Sequence, residues 1–324
     1  MADAGANNRV GVLGATSFVG ACLLTLLAEA GWQVTAFSRR TIGRPGDGVE
    51  WRQLASPESL SDETTDEATD KTTSHLTNPA NNAGKVIGYP PAGVGGVEWW
   101  VCVAPIWVLP DYFGLLEKQG ARRVVVLSST SRFTKDSSSD TKEQAIAHRL
   151  AEAETRVREW AESRGVEWVI LRPTLIYGLG RDKNIVEIAR FIRRFGFFPL
   201  FGKANGLRQP VHAEDVAGAC FAALRSPCAA NRAYNISGGE TLAYRDMVTR
   251  VFSALDRRPH LLNVPLWAFR LAVAALRCLP RYRKWSTAMA ERMNQNLVFD
   301  HGEAARDLSF KPRAFVLAAE DLPA

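Results

Sequence analysis

The stretch from residue 9 to residue 40 constrains this chain more than any other. RVGVLG (9–14) is a short apolar run ending in glycine, FVGACLLTLLAEA (18–30) has the length and apolar content of a buried helix closed by Gly31, and WQVTAFS (32–38) is a second apolar run. Two strands joined through a helix pair in parallel, and the crossover is right-handed. The spacing therefore predicts a strand, turn, helix and strand unit in a parallel sheet with helices on both faces.

The alternation continues. GVEWRQL (48–54) predicts a third strand, and VEWWVCVAPIWVL an apolar strand at 97–104 followed by a loop from Pro105. A helix at about 111–119 ends at Gly120, ARRVVVLSST supplies the next strand, and a long helix over about 141–163 stops before Gly165. VEWVILRPTLIYG is a further strand and its exit. Residues 56–96 break the pattern, being rich in Ser, Thr, Asp and Glu to about residue 75 and in Asn, Pro and Gly after it; they predict a mobile insertion. The fold class expected is α/β: a Rossmann-type doubly wound parallel sheet over 8–176, and a smaller C-terminal substrate-binding lobe over 177–324 with a return to the sheet domain around 209–225.

In Gly14-Ala15-Thr16-Ser17-Phe18-Val19-Gly20, Gly14 permits the tight turn leaving the strand, and Gly20 lets the helix pack closely on the sheet. A helix opening near Ser17 aims backbone N–H groups and its positive end at a pyrophosphate. Gly14, Thr16, Ser17, Phe18, Val19 and Gly20 are thus candidate dinucleotide contacts. At the end of the second strand, where an acid would hold the ribose hydroxyls of NAD, stand Ser38, Arg39 and Arg40. Arginine grips a 2′-phosphate through paired charge-assisted bonds. The cofactor expected is NADP, with NAD as the alternative.

Taken together, GATSFVG, VVVLSST, AEAETRV, LRPTLIYG, RQPVHAEDVAGA, YNISGGE and ARDLSFKPR resemble the extended or atypical short-chain dehydrogenase/reductase superfamily, in particular its NAD-dependent epimerase/dehydratase branch. The resemblance spans nearly the whole chain outside the insertion. It implies that Ser128, Ser129 and Pro173 border the cofactor, and that Thr130 hydrogen-bonds the substrate oxygen. It also implies a tyrosine and, four residues later, a lysine on the long helix: the phenol exchanges a proton with substrate and the ammonium lowers its pKa. Here Ile146 and Leu150 occupy those positions, and no tyrosine lies between Tyr112 and Tyr177. A second departure is Ser17, where the family usually has a middle glycine. Thr130, Lys142 and Tyr177 remain as candidate catalytic residues. Lys142 is placed one and two turns before Ile146 and Leu150. Tyr177 and His212 fall in loops facing the cofactor or lobe junction in the resembling family, where structural roles compete.

The net charge of +6 is concentrated in two segments, seven Lys/Arg against two acids over 181–208 and ten against three over 245–294. Such a field suits a small, anionic or nucleotide-linked substrate, an acidic membrane surface, or a merely solvated helix face. No nucleic-acid-binding module is present, so nucleic acid is not an expected partner. Residues 264–285 have the apolar and arginine interleaving of an interfacial helix, but Arg270 and Arg277 break the run short of a span; a lobe helix is the competing reading. Cys22, Cys102, Cys220, Cys228 and Cys278 show no metal spacing and read as reduced core residues. MADAGANNRV lacks the pattern of a secretory leader, which makes a cytoplasmic protein the expectation. The resembling family also suggests a homodimer. Two functions compete: an NADP-dependent oxidoreductase or epimerase-like enzyme with a non-standard proton donor, and an NADP(H)-binding sensor, assembly or regulatory protein without turnover.

Overall fold

The computed structural model describes residues 8–38, 48–54, 96–136, 138, 140–269 and 287–323. Its centre is a seven-stranded sheet formed by β1 (Arg9–Leu13), β2 (Gln33–Ser38), β3 (Val49–Gln53), β4 (Trp99–Cys102), β5 (Arg123–Leu127), β6 (Glu167–Pro173) and β11 (Arg232–Ile236). All pairings are parallel, in the order β11-β6-β5-β4-β1-β2-β3. β1 lies between β2 and β4, so sheet order reverses there. A doubly wound sheet binds ligands in the crevice outside its strand ends at that point.

α1 (Phe18–Glu29) and α6 (Ala213–Arg225) cover one face, burying Leu23, Leu27, Val216 and Cys220 against Val10, Val12, Val101 and Val125. α4 (Thr141–Arg164) covers the other through Leu150, Ala153 and Val157. A Cβ on Gly11 would lie 2.6 Å from the Trp100 ring. Glycine in β1 thus makes room for a fully buried indole, whose N–H donates to the Val97 carbonyl at 2.7 Å. Buried Arg123, at the start of β5, donates to the carbonyls of Ala223, Leu224 and Ser226 and so satisfies the C-terminal end of α6.

A separate apolar cluster joins α5 (Ile185–Phe195), β8 (Phe198–Phe201), α7 (Tyr244–Ala254) and the C-terminal residues Phe315 and Leu322. Short pairs attach it to the sheet. β7 (Ile176–Tyr177) lies parallel to β10 (Val211–His212), β9 (Leu207–Arg208) antiparallel to β12 (Leu242–Ala243), and β8 parallel to β13 (Leu261–Val264).

Several expectations change. The helix expected over 111–119 is a 3-10 turn at Ile106–Tyr112 followed by α2 (Phe113–Gln119), because Pro110 cannot donate an α-helical hydrogen bond. Helix α1 is buried along one stripe only: Ala21, Cys22 and Leu26 line an open groove of about 740 Å³ shared with α6. Cys102 and Cys220 are core thiols, both pushed up to about 12 by burial, but Cys228 is exposed and Cys22 only partly covered. Apart from Gly96, the insertion expected at 56–96 lies outside the described residues, as do 270–286 of the expected interfacial or lobe helix. No helix among the described residues is long and apolar enough to cross a membrane.

Candidate dinucleotide site

The loop after β1 is shaped by two glycines and one serine. Gly14 has φ +82°, and a Cβ there would lie 2.4 Å from the Ala104 amide nitrogen at the exit of β4. The Ser17 N–H donates to the Gly14 carbonyl at 2.9 Å and closes the turn. Ser17 Oγ then accepts the Gly20 N–H at 3.0 Å, so the residue standing in place of a middle glycine is the N-cap of α1. A Cβ on Gly20 would lie 2.6 Å from the Ala15 and Gly14 carbonyl oxygens. The Phe18 and Val19 amides open the helix without a carbonyl inside it, at its positive end. Thr16 is exposed and Phe18 half-buried, whereas the Val19 side chain belongs to the core. These features fit a pyrophosphate at the β1–β4 crevice.

Arg181, absent from the candidates read from the sequence, reaches this loop, its Nη2 donating to the Thr16 carbonyl at 3.0 Å. The two residues are 165 positions apart and no local pattern pairs them. Ser38 is buried at the end of β2, and its carbonyl accepts the Leu54 N–H at 2.8 Å. Arg39 and Arg40 lie outside the described residues.

At the end of β5 three adjacent hydroxyls have different partners. Ser128 Oγ donates to Glu154 at 2.5 Å, and Thr130 Oγ1 to the Pro173 carbonyl at 3.2 Å. Ser129 Oγ instead accepts the Ser131 N–H at 3.1 Å while the side chain stays partly exposed. Thr130, expected to face substrate, is buried and directs its proton to backbone; the Pro173 carbonyl also takes the Thr130 N–H at 3.1 Å.

Lys142 does not supply the inward charge considered for it. It is exposed in the first turn of α4, its N–H donating to the Asp140 cap at 2.9 Å. Ile146 is 38% exposed, and only at Leu150 does the stripe enter the core. Tyr177, the third catalytic candidate, lies inside the protein. It is fully buried between His212 and Phe315, its hydroxyl donates to the Val316 carbonyl at 3.3 Å, and burial pushes its pKa up to about 12. His212 Nδ1 accepts the Glu214 N–H at 3.3 Å and Nε2 meets buried Asp321 at 3.1 Å. A Cβ on Gly178 would lie 2.6 Å from that Nε2, which accounts for the glycine after Tyr177. Both rings brace the C-terminal segment.

Glu154 lies under the β5 hydroxyls without solvent exposure. It binds Ser128, Arg172 (Nε at 3.0 Å, Nη2 at 2.7 Å) and Arg132. On the lobe side, Arg208 is buried, donates to the carbonyls of Leu207, Gln295 and Arg292, and is pushed down to about 10 by burial. Arg292 pairs with Glu143 of α4, and burial lowers the pKa of nearby Lys135. Among the described residues no His, Cys, Asp and Glu cluster could hold a metal ion.

A doubly wound parallel sheet carrying a glycine turn and a capped helix N-terminus at its switch point defines a dinucleotide-binding α/β protein. Residues 113–237 match the family model described as "NAD dependent epimerase/dehydratase family". The chain is 28% identical over 121 residues to UDP-glucose 4-epimerase of Vibrio cholerae, covering 37% of each chain. It is 25% identical over 118 residues to the mitochondrial NADH dehydrogenase [ubiquinone] 1 alpha subcomplex subunit 9 of Arabidopsis thaliana, covering 36% of this chain and 29% of that protein. In structure it is similar to the UDP-glucuronic acid 4-epimerase from Bacillus cereus in complex with NAD, with a TM-score of 0.62 at 12% identity over 97% of this chain and 95% of that one. Residues 113–237 thus resemble the epimerase/dehydratase family in sequence, and the chain as a whole shares the fold of the nucleotide-sugar epimerase. The curated matches span well under half of those relatives' lengths.

Proposed function

We propose that the chain binds a nicotinamide dinucleotide across the Gly14–Gly20 loop and performs slow oxidoreductase or epimerase-like chemistry on an alcohol or ketone carbon of a nucleotide-linked substrate. The observation that carries this reading is the loop itself: a left-handed Gly14, a serine-capped α1 and the Arg181 guanidinium at one strand-order reversal. NADP is preferred over NAD, on the Ser38-Arg39-Arg40 sequence at the end of β2. The cofactor supplies or accepts hydride; the protein must hold the substrate oxygen and manage its proton.

Ser129 is the hydroxyl best disposed for the substrate oxygen, since Ser128 and Thr130 direct theirs to Glu154 and Pro173. A serine hydroxyl donates a hydrogen bond but is a poor general acid at neutral pH. Loss of a tuned acid lowers a proton-transfer step by about 10²–10⁴-fold, so slow turnover is expected.

A non-catalytic sensor or assembly role is the second reading. It is favoured by the aliphatic Ile146 and Leu150 and by the similarity to a protein named as an NADH dehydrogenase subunit. Fluorescence titration with NADPH and NADH, followed by single-turnover assays with UDP-glucose and UDP-glucuronic acid, separates the two. The enzyme reading expects tighter NADPH binding and slow hydride transfer that Ser129→Ala depresses without changing cofactor affinity. Cofactor binding with no transfer to either sugar nucleotide would favour the second reading, and absence of binding to both cofactors would refute both.

A further inference from the structure

We infer that the C-terminal end of α5 and the segment leading into β13 form a docking face for an anionic lipid surface. Helix α5 sends Ile185, Ile188, Ala189 and Ile192 into the lobe core and leaves Arg190, Arg193, Arg194 and Phe195 outside. Phe195 is 50% exposed, contacts the Phe191 ring at 4.6 Å between centroids, and has the Arg194 guanidinium 5.3 Å from its centroid. Arg257 ties the next segment to this corner by donating to the Ile192 and Arg193 carbonyls at 3.1 and 3.3 Å. The Phe198 N–H donates to the His260 carbonyl at 2.9 Å. Exposed Arg258 and His260, and Leu262 at 49% exposure, thereby stand beside the end of α5. Trp267, 69% exposed, lies in the helical turn that begins two residues after β13.

Large exposed apolar side chains gathered with arginines mark an interaction surface. Glu187 is paired with Arg190 at 3.0 Å, Asp256 is exposed beside Arg257, and Arg193 donates to the Pro323 carbonyl, which leaves Arg194 and Arg258 as the cations offered to a partner. A second copy of this chain would set arginine against arginine across the interface, an unfavourable arrangement. A nucleic acid would use arginines and rings but gains nothing from Leu262, which cannot stack on a base. An anionic bilayer uses both parts: its surface potential attracts the guanidinium groups, and its interfacial zone accepts Trp, Phe and Leu.

The test is co-sedimentation of the full chain with vesicles of phosphatidylcholine alone and of phosphatidylcholine mixed with phosphatidylglycerol, across a salt series. Binding is expected only to the mixed vesicles and should weaken with salt. Removing one arginine should weaken the partition roughly fivefold, so Arg194→Gln with Arg258→Gln should give roughly a twenty-five-fold loss. Both variants should keep the wild-type circular dichroism spectrum and melting temperature. Leu262→Ser with Trp267→Ser, away from the cation-π pair, should reduce binding independently of salt. The inference is overturned by absence of vesicle binding at low salt, or by binding unchanged in both double variants. A concentration-dependent dimer abolished by Leu262→Ser would assign the face to a second copy instead, and competition by a single-stranded oligonucleotide with no vesicle binding would assign it to nucleic acid.

Discussion

Replacing Glu154 with glutamine tests how the hydroxyl-bearing end of β5 is held. The carboxylate has no solvent exposure and serves two guanidiniums and the Ser128 hydroxyl at once. Glutamine keeps one acceptor oxygen, removes the negative charge and turns two N–H donors toward groups that are themselves donors. Breaking a buried pair by removing one partner costs about 3–5 kcal/mol. Arg132 and Arg172 are 23% and 18% exposed, so both can recover some hydration, and the expected loss is at the low end, about 3 kcal/mol. An unfolding entropy of about 2.1 cal/mol/K per residue over the roughly 250 described residues converts this to a fall of about 6 °C in Tm. Calorimetry or a circular dichroism melt measures it. Arg132→Met in the Glu154→Gln background should recover part of the loss, because one uncompensated charge then disappears. A Glu154→Gln protein melting within about 1 °C of wild type, or a second substitution that merely adds its own destabilisation, would refute the reasoning.

Two further predictions separate structural from cofactor-binding roles. Tyr177→Phe should lower stability by about 1 kcal/mol, because the Val316 carbonyl loses its buried donor, while NADPH affinity stays unchanged; an undiminished Tm with lost turnover would return Tyr177 to the catalytic machinery. Arg181→Met should weaken NADPH binding by roughly tenfold, and the deficit should shrink as salt rises, since the guanidinium adds its charge at the phosphate loop; isothermal titration at two ionic strengths decides it, and an unchanged Kd at low salt would place Arg181 outside the cofactor field.

The sequence by itself determined the sheet and the glycine turn that leaves β1. Apolar runs such as RVGVLG and VVVL, separated by helix-length segments, have one common solution, a parallel sheet, and a glycine where β1 must turn sharply is a local steric requirement visible without neighbours. The absence of tyrosine from α4 was equally legible, because it needs only an inventory of one helix. What a side chain faces was not legible. Lys142 and Leu150 fall eight residues apart on one helical stripe, yet one is exposed and the other is core. Three consecutive residues, Ser128, Ser129 and Thr130, read alike as hydroxyls near a strand end. Only the arrival of Glu154 from α4 and the Pro173 carbonyl from β6 decides which protons are already committed. Tyr177 becomes a brace because the last residues of the chain fold back over β7, and Arg181 reaches Thr16 across 165 positions. Local patterns follow from backbone sterics and solvent preference, whereas the chemistry of a site depends on long-range partners that compete for the same hydrogens, and those are set only when the chain closes on itself.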